Sequence, residues 1–199
     1  PRILVAATGS VASVKVPELV EALIQCFGEA TQIKVVTTPA GAAMLRLCQG
    51  YNPSAWTKMS ICSLSPGTQV AVLVDADEWE GFDDIRTDKV VHIELRRWAD
   101  CLIIAPCSAC TLSKLATGVC DNLLTSLARA WDPSKALILA PAMNTVKPAI
   151  HSVLSAVCSS ASLGLAGHSQ VGYSQVDGLR WRYKPVNFGA EKRPGSPNG

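Results

Sequence analysis

Val90–Asn122, VVHIELRRWADCLIIAPCSACTLSKLATGVCDN, is the stretch that decides the fold class. Its centre, Cys101–Ala105 (CLIIA), is a continuous apolar run bounded by Asp100 and Pro106. Such a run leaves no face for water, so it reads as a strand covered on both sides, as in a parallel sheet. Ahead of it, Ile93–Asp100 reads as a short helix with His92 at its front. Behind it, Ser108 suits the N-cap of a helix over Ala109–Thr117, and Gly118 its end. In open α/β sheets ligands bind at the carboxyl ends of the strands. Pro106–Thr111 is therefore expected at a binding crevice, with Ser108 and Thr111 offering hydroxyls to a phosphate or a polar ring edge at a helix start.

Working outward, the same alternation recurs. Arg2–Ala7 (RILVAA) is a buried strand, Thr8-Gly9-Ser10 a tight turn, and Val11–Gln25 a helix with apolar residues at Val16, Leu19, Val20 and Leu23. Pro17 should bend that helix or mark its true first turn. Gly9 lets the backbone approach a ligand, and the helix start offers free N–H groups to an anion. The full GxGxxG fingerprint is absent, which gives a nicotinamide cofactor no support. Gln32–Thr37 is the second strand, with Thr37 and Thr38 at its carboxyl end, and Pro39–Leu47 the next helix. Residues 47–69 show no sustained period and read as an irregular insertion. Val70–Val74 is a third strand and Asp75–Asp84 an exposed acidic loop. Asn122–Trp131 is a helix capped by Asp121, and Ala136–Ala140 (ALILA) the last clear strand, delivering Pro141, Ala142, Met143 and Asn144 to the sheet edge. The expected organisation is a three-layer α/β domain with a parallel sheet over residues 1–145, followed by a divergent, partly disordered tail over 146–199.

A hydrophobic content of 48%, a charged content of 17% and 199 residues describe a globular chain with a real core. A net charge of +2 makes no case for nucleic acid, and no apolar run reaches the about 18 residues of a membrane span. The chain begins at Pro1 and enters a strand at once, with no visible signal peptide, so the expected compartment is the cytoplasm. Eight cysteines are scattered, and only Cys107 and Cys110 form a CxxC. With no second pair, zinc is disfavoured. A redox pair before a helix is one reading, and small residues lining a loop in a reducing compartment is the favoured one.

Seven motifs occur in one order: TGSVA at Thr8–Ala12, DADEW at Asp75–Trp79, HIELRRWAD at His92–Asp100, Ala105-Pro106, GVCDNLL at Gly118–Leu124, RAWD at Arg129–Asp132 and PAMNT at Pro141–Thr145. In that order they resemble the phosphopantothenoylcysteine decarboxylases, among the homo-oligomeric flavin-containing cysteine decarboxylases. The resemblance covers about residues 1–45 and 70–145. It implies a flavodoxin-like or Rossmann-like subunit that binds FMN and assembles as a homotrimer. The implied activity is conversion of 4′-phosphopantothenoylcysteine to 4′-phosphopantetheine in coenzyme A biosynthesis. In such enzymes the flavin oxidises the substrate thiol, CO2 leaves, and the reduced flavin returns a hydride; the protein supplies positioning and protons. The same resemblance assigns His92 as the catalytic histidine and Asn144, with Ala142 and Met143, to substrate binding. It assigns Gly9, Ser10, Thr37, Thr38, Ser108, Ala109, Cys110 and Thr111 to the flavin.

Two departures stand beside it. Met44 occupies the place of an aromatic residue that covers the flavin in the family. The family also carries, beyond PAMN, a clamp with a catalytic cysteine and a Gly-rich stretch; here Cys158 is the sole cysteine after Asn144 and has no glycine neighbours. The expectation is a decarboxylase impaired in the steps that the clamp serves. The alternatives are a non-catalytic flavoprotein subunit of the same fold and a non-productive splice form.

Overall fold

The computed structural model describes residues 1–62, 70–84, 86–142, 173–177 and 180–184. Among these residues six strands run parallel and a seventh antiparallel in one sheet of order β3-β2-β1-β4-β5-β6-β7. They are β1 (Arg2–Ala7), β2 (Gln32–Thr37), β3 (Val70–Leu73), β4 (Cys101–Cys107), β5 (Ala136–Pro141), β6 (Tyr173–Asp177) and β7 (Arg180–Lys184). β1 and β4 lie inside the sheet, which is why their apolar runs are unbroken: Ile3–Ala7 and Leu102–Cys107 are buried on both faces. Part of the expected tail thus forms an antiparallel strand pair, β6 and β7, at the sheet edge.

Helices cover both faces, completing the expected three-layer α/β sandwich, with the Rossmann-like strand order 3-2-1-4-5. On one side lie a 3-10 turn (Val11–Lys15), α1 (Val16–Phe27), α2 (Pro39–Arg46), α3 (Cys48–Tyr51) and α4 (Pro53–Cys62), packed over Ile3, Val5, Ile33, Val35 and Ile103. On the other lie α5 (Val91–Trp98), α6 (Ala109–Thr117) and α7 (Leu123–Arg129), packed over Leu4, Leu102, Ile104 and Leu139. Alternate residues of each central strand therefore feed two separate cores, as a period of two requires. Pro17 sits in the first turn of α1, where its missing N–H costs nothing, so the helix begins there and is not bent.

Several expectations are corrected. Residues 47–69, expected to be irregular, contain α3 and α4. Asn52 caps α4, its Oδ1 accepting from Ala55 N at 3.1 Å, and Pro53 opens the helix. Ala55 and Met59, four apart, turn one face into the α1 core. Asn52 also donates to Glu18 at 2.9 Å, and Lys58 pairs with Glu21. β4 does not stop at Pro106 but continues to Cys107. Its register against β5 shifts between Ile104 and Cys107, so no regular ladder donor is asked of the proline there. The cap of α7 is Asn122 and not Asp121, because Asn122 Oδ1 is the oxygen that reaches Thr125 N, at 3.0 Å; Asp121 pairs with Lys114 instead. The acidic loop after β3 is not wholly exposed, since Asp75–Glu78 is a 3-10 turn with Glu78 buried. Large apolar residues on the helices serve the subunit's own core: Leu124 is fully buried, and Trp98 and Trp131 pack on the same cluster. Among the described residues, no helix is long and apolar enough to cross a membrane.

Candidate active site

The chain leaves β1 for β2 and β3 on one side, then returns to β4 and β5 on the other. The carboxyl ends of β1 and β4 therefore flank the topological switch point, where the connecting segments diverge and open a crevice. Thr8, fully buried, ties the two ends together: its Oγ1 donates to Pro106 O at 2.7 Å and accepts from Ser108 N at 2.8 Å. Sequence reasoning did not single out Thr8. Its only signal was a threonine directly after an apolar strand at the foot of the glycine turn.

Gly9 is exposed and Ser10 half-buried, with Ser10 Oγ accepting from Ala12 N at 3.3 Å. Glycines make this turn possible. A Cβ on Gly41 would lie 2.2 Å from Ala7 O, and one on Gly9 would lie 2.7 Å from Ala40 Cβ, so the end of β1 and the start of α2 meet without intervening side chains. Thr38 caps α2, its Oγ1 accepting from Gly41 N at 3.0 Å. Thr37 is fully buried and donates to Leu73 O at 3.3 Å, a link between strands. Ser108 caps α6, accepting from Thr111 N at 3.3 Å and donating to Thr111 Oγ1 at 3.2 Å. Ala109 is half-buried and Cys110 exposed. The hydroxyl residues thus share one edge, and among them Gly9 and Ser10, with Ala109 and Cys110, present the more accessible surface.

Cys107 and Cys110 do not form a working thiol pair. Cys107 points into the α5–α7 core, and burial pushes its thiol up to about 12, whereas Cys110 faces solvent. A thiol-exchange pair needs an accessible thiolate, which Cys107 does not offer. Among the described residues no group of three or more His, Cys, Asp or Glu side chains gathers as metal ligands.

His92 stands in the first turn of α5. That helix ends near Asp100, whose N–H bonds Arg2 O at the amino edge of the sheet, so its first turn lies at the carboxyl edge, the edge of the hydroxyl residues. His92 Nδ1 is 2.5 Å from Glu78 Oε1. Glu78 is only 6% exposed, and its Oε2 has no partner among the described residues. A carboxylate oxygen accepts, so this contact suits a proton carried on Nδ1. Glu78 was missed at the sequence level; its one signal was an acidic residue in DADEW. Ala142 N donates to Cys107 O at 2.9 Å, which holds the residue after β5 beside the end of β4. Met143 and Asn144 lie outside the described residues.

The flavoprotein family profile matches residues 1–152. The chain is 44% identical over 146 residues to phosphopantothenoylcysteine decarboxylase of Arabidopsis thaliana, covering 73% of this chain and 60% of that protein. It is 44% identical over 144 residues to the Mus musculus protein of the same description, covering 72% and 60%. The chain therefore spans about 60% of the length of these curated relatives. Among solved structures, it resembles a cysteine-to-serine mutant of PPC decarboxylase complexed with pantothenoylaminoethenethiol, at TM-score 0.64 and 38% identity, covering 86% of this chain and 83% of that one. It also resembles the FMN-binding protein AtHal3, at TM-score 0.63 and 41% identity, covering 83% and 78%.

Proposed function

Because this chain belongs to the flavoprotein family, we propose that it binds FMN and decarboxylates 4′-phosphopantothenoylcysteine to 4′-phosphopantetheine, a step of coenzyme A biosynthesis. The observation that carries the reading is His92, anchored on a buried carboxylate at the hydroxyl-lined edge of the sheet. Relatives described as phosphopantothenoylcysteine decarboxylases support the substrate, and FMN-binding relatives support the cofactor.

The residues fit FMN. A phosphate asks for N–H and O–H donors, and Gly9 and Ser10 offer them at an accessible turn where the end of β1 meets the start of α2 too closely for an added Cβ on Gly9 or Gly41. Gly9 and Ser10 would hold the phosphate end. Thr38, Ser108, Ala109, Cys110 and Thr111 would border the remainder, with Thr37 behind them as support. When bound, FMN supplies the reversible two-electron oxidation of the substrate's cysteinyl thiol that allows the neighbouring carboxylate to leave as CO2. His92 Nε2 accepts the thiol proton, while Nδ1–H stays on Glu78. Asn144 would hold the substrate carboxylate, beside Ala142 and Met143.

The full reading includes a homotrimer, the assembly implied by the sequence resemblance. It includes the cytoplasm, which the free thiols of Cys26, Cys48, Cys101, Cys107, Cys110 and Cys120 suit. It also includes slow completion of the reaction, since the tail sequence lacks the family's cysteine clamp. The test is reconstitution with FMN, followed by CO2 release and mass spectrometry of the product. His92→Asn should lower CO2 release by about 10²-fold or more. A chain that takes up no FMN, or releases CO2 equally well as His92→Asn, refutes the proposal.

A further inference from the structure

We propose that Glu78 is the positioning residue of this site: it holds the His92 ring in one tautomer and one orientation. Three acidic residues share the 3-10 turn Asp75–Glu78, and they divide their work. Asp75 Oδ1 accepts from Leu123 N at 2.6 Å and so fastens the start of α7. Asp77 Oδ2 accepts from Val74 N at 2.7 Å and closes the turn on itself. Glu78 holds no backbone group among the described residues. Its one hydrogen bond there is the 2.5 Å contact to His92 Nδ1, and its second oxygen is buried without a partner among the same residues. Burying a carboxylate without a full set of partners is costly, and a merely structural acid would be expected to bond the backbone as Asp75 and Asp77 do.

The consequence for chemistry follows from the two ring nitrogens. A neutral imidazole carries one proton, and an acceptor at Nδ1 holds it there. Nε2 is then a lone-pair acceptor facing away from Glu78. Without Glu78 the ring would distribute between its two tautomers and rotate about its side-chain bonds, and only part of the population would present an accepting Nε2. The turn Asp75–Glu78 follows β3 and the helix bearing His92 precedes β4, so the pair also locks one loop to the next across the carboxyl edge.

The catalytic part of this inference rests on His92 being the proton acceptor; the pairing does not. The experiment is therefore long-range 1H–15N NMR of the imidazoles of the full chain, with His92 assigned by comparison with His92→Asn. The wild type should show His92 as the Nδ1–H tautomer. Glu78→Ala should shift it to a mixture with a major Nε2–H form, and Glu78→Gln, whose amide oxygen still accepts, should restore Nδ1–H. In the decarboxylase assay Glu78→Ala should lower kcat by about 10²-fold with KM little changed, and Glu78→Gln should recover part of it. A wild-type His92 in the Nε2–H form overturns the proposal without any variant, which covers a Glu78→Ala that fails to fold. An unchanged tautomer in a folded Glu78→Ala overturns it as well. An Nδ1–H tautomer in a wild type that releases no CO2 supports the pairing and defeats the decarboxylase reading alone.

Discussion

Replacing Thr8 by valine removes one oxygen and keeps the side chain's shape. That oxygen serves two backbone groups at once, Pro106 O at 2.7 Å and Ser108 N at 2.8 Å, in a position with no solvent exposure. Valine leaves both groups without this partner. Each unsatisfied buried group costs about 1–3 kcal/mol, and partial relaxation brings the expected total to about 2–4 kcal/mol. Against a domain stability of about 5–15 kcal/mol this is a large share. It corresponds to a fall in Tm of about 4–16 °C, at about 2–4 °C per kcal/mol for a chain of this size. Thr8→Ser is the control. It keeps the hydroxyl and loses one methyl, at about 1 kcal/mol. Urea unfolding of the three proteins checks the order wild type, serine, valine, with equal m-values showing that the unfolded states are comparable. A valine variant within about 0.5 kcal/mol of wild type, or one more stable than the serine variant, refutes the claim that this hydroxyl joins β1 to β4; the smallest measured value ordinarily assigned to a buried unsatisfied group is about 1 kcal/mol.

Three further outcomes are expected. Ser10→Asp keeps an N-cap oxygen for the 3-10 turn and so should fold, yet it places a negative charge where the phosphate is proposed; visible absorbance should show loss of FMN with an unchanged circular dichroism spectrum, and full flavin retention would count against the phosphate site. Iodoacetamide at pH 8 should alkylate Cys110 in the native protein and reach Cys107 only after unfolding, as read by peptide mass spectrometry. Burial raises the Cys107 thiol to about 12, so its contribution to stability is complete below the unfolded value of about 8.5 and is lost as pH rises toward 12. Asp100 is held below the ordinary carboxylate range, first by the Arg2 N–H and then by the Arg2 side chain. Its contribution is present above the unfolded value of about 3.9 and lost as pH falls through the lower folded one. The stability difference between wild type and Asp100→Asn should therefore be small, as suits an exposed pair, and should shrink as pH falls below the unfolded value of about 3.9; a difference that grows in acid would contradict the assignment.

The sheet was legible because its central strands are buried on both faces. Continuous apolar runs such as Ile3–Ala7 and Leu102–Ala105 have few other homes in a chain of this length, and β1 and β2 stand within the limits expected of them. Ser108 and Gly118 were equally readable, since a cap is a local device whose partner lies three or four residues away. Helices α3 and α4 escaped notice because most of their stability comes from packing on α1, and periodicity alone is faint in pieces this short; the Asn52-Pro53 pair was the local signal available. The site divides along the same line. Sequence placed the hydroxyl residues at strand ends, because strand direction follows from alternation with helices. It could not pair Thr8 with Ser108 across 100 positions, nor Glu78 with His92 across 14. Side-chain chemistry is written in the chain, but which donor meets which acceptor is decided only when separate elements pack. At that point a buried polar group must find its partner in space.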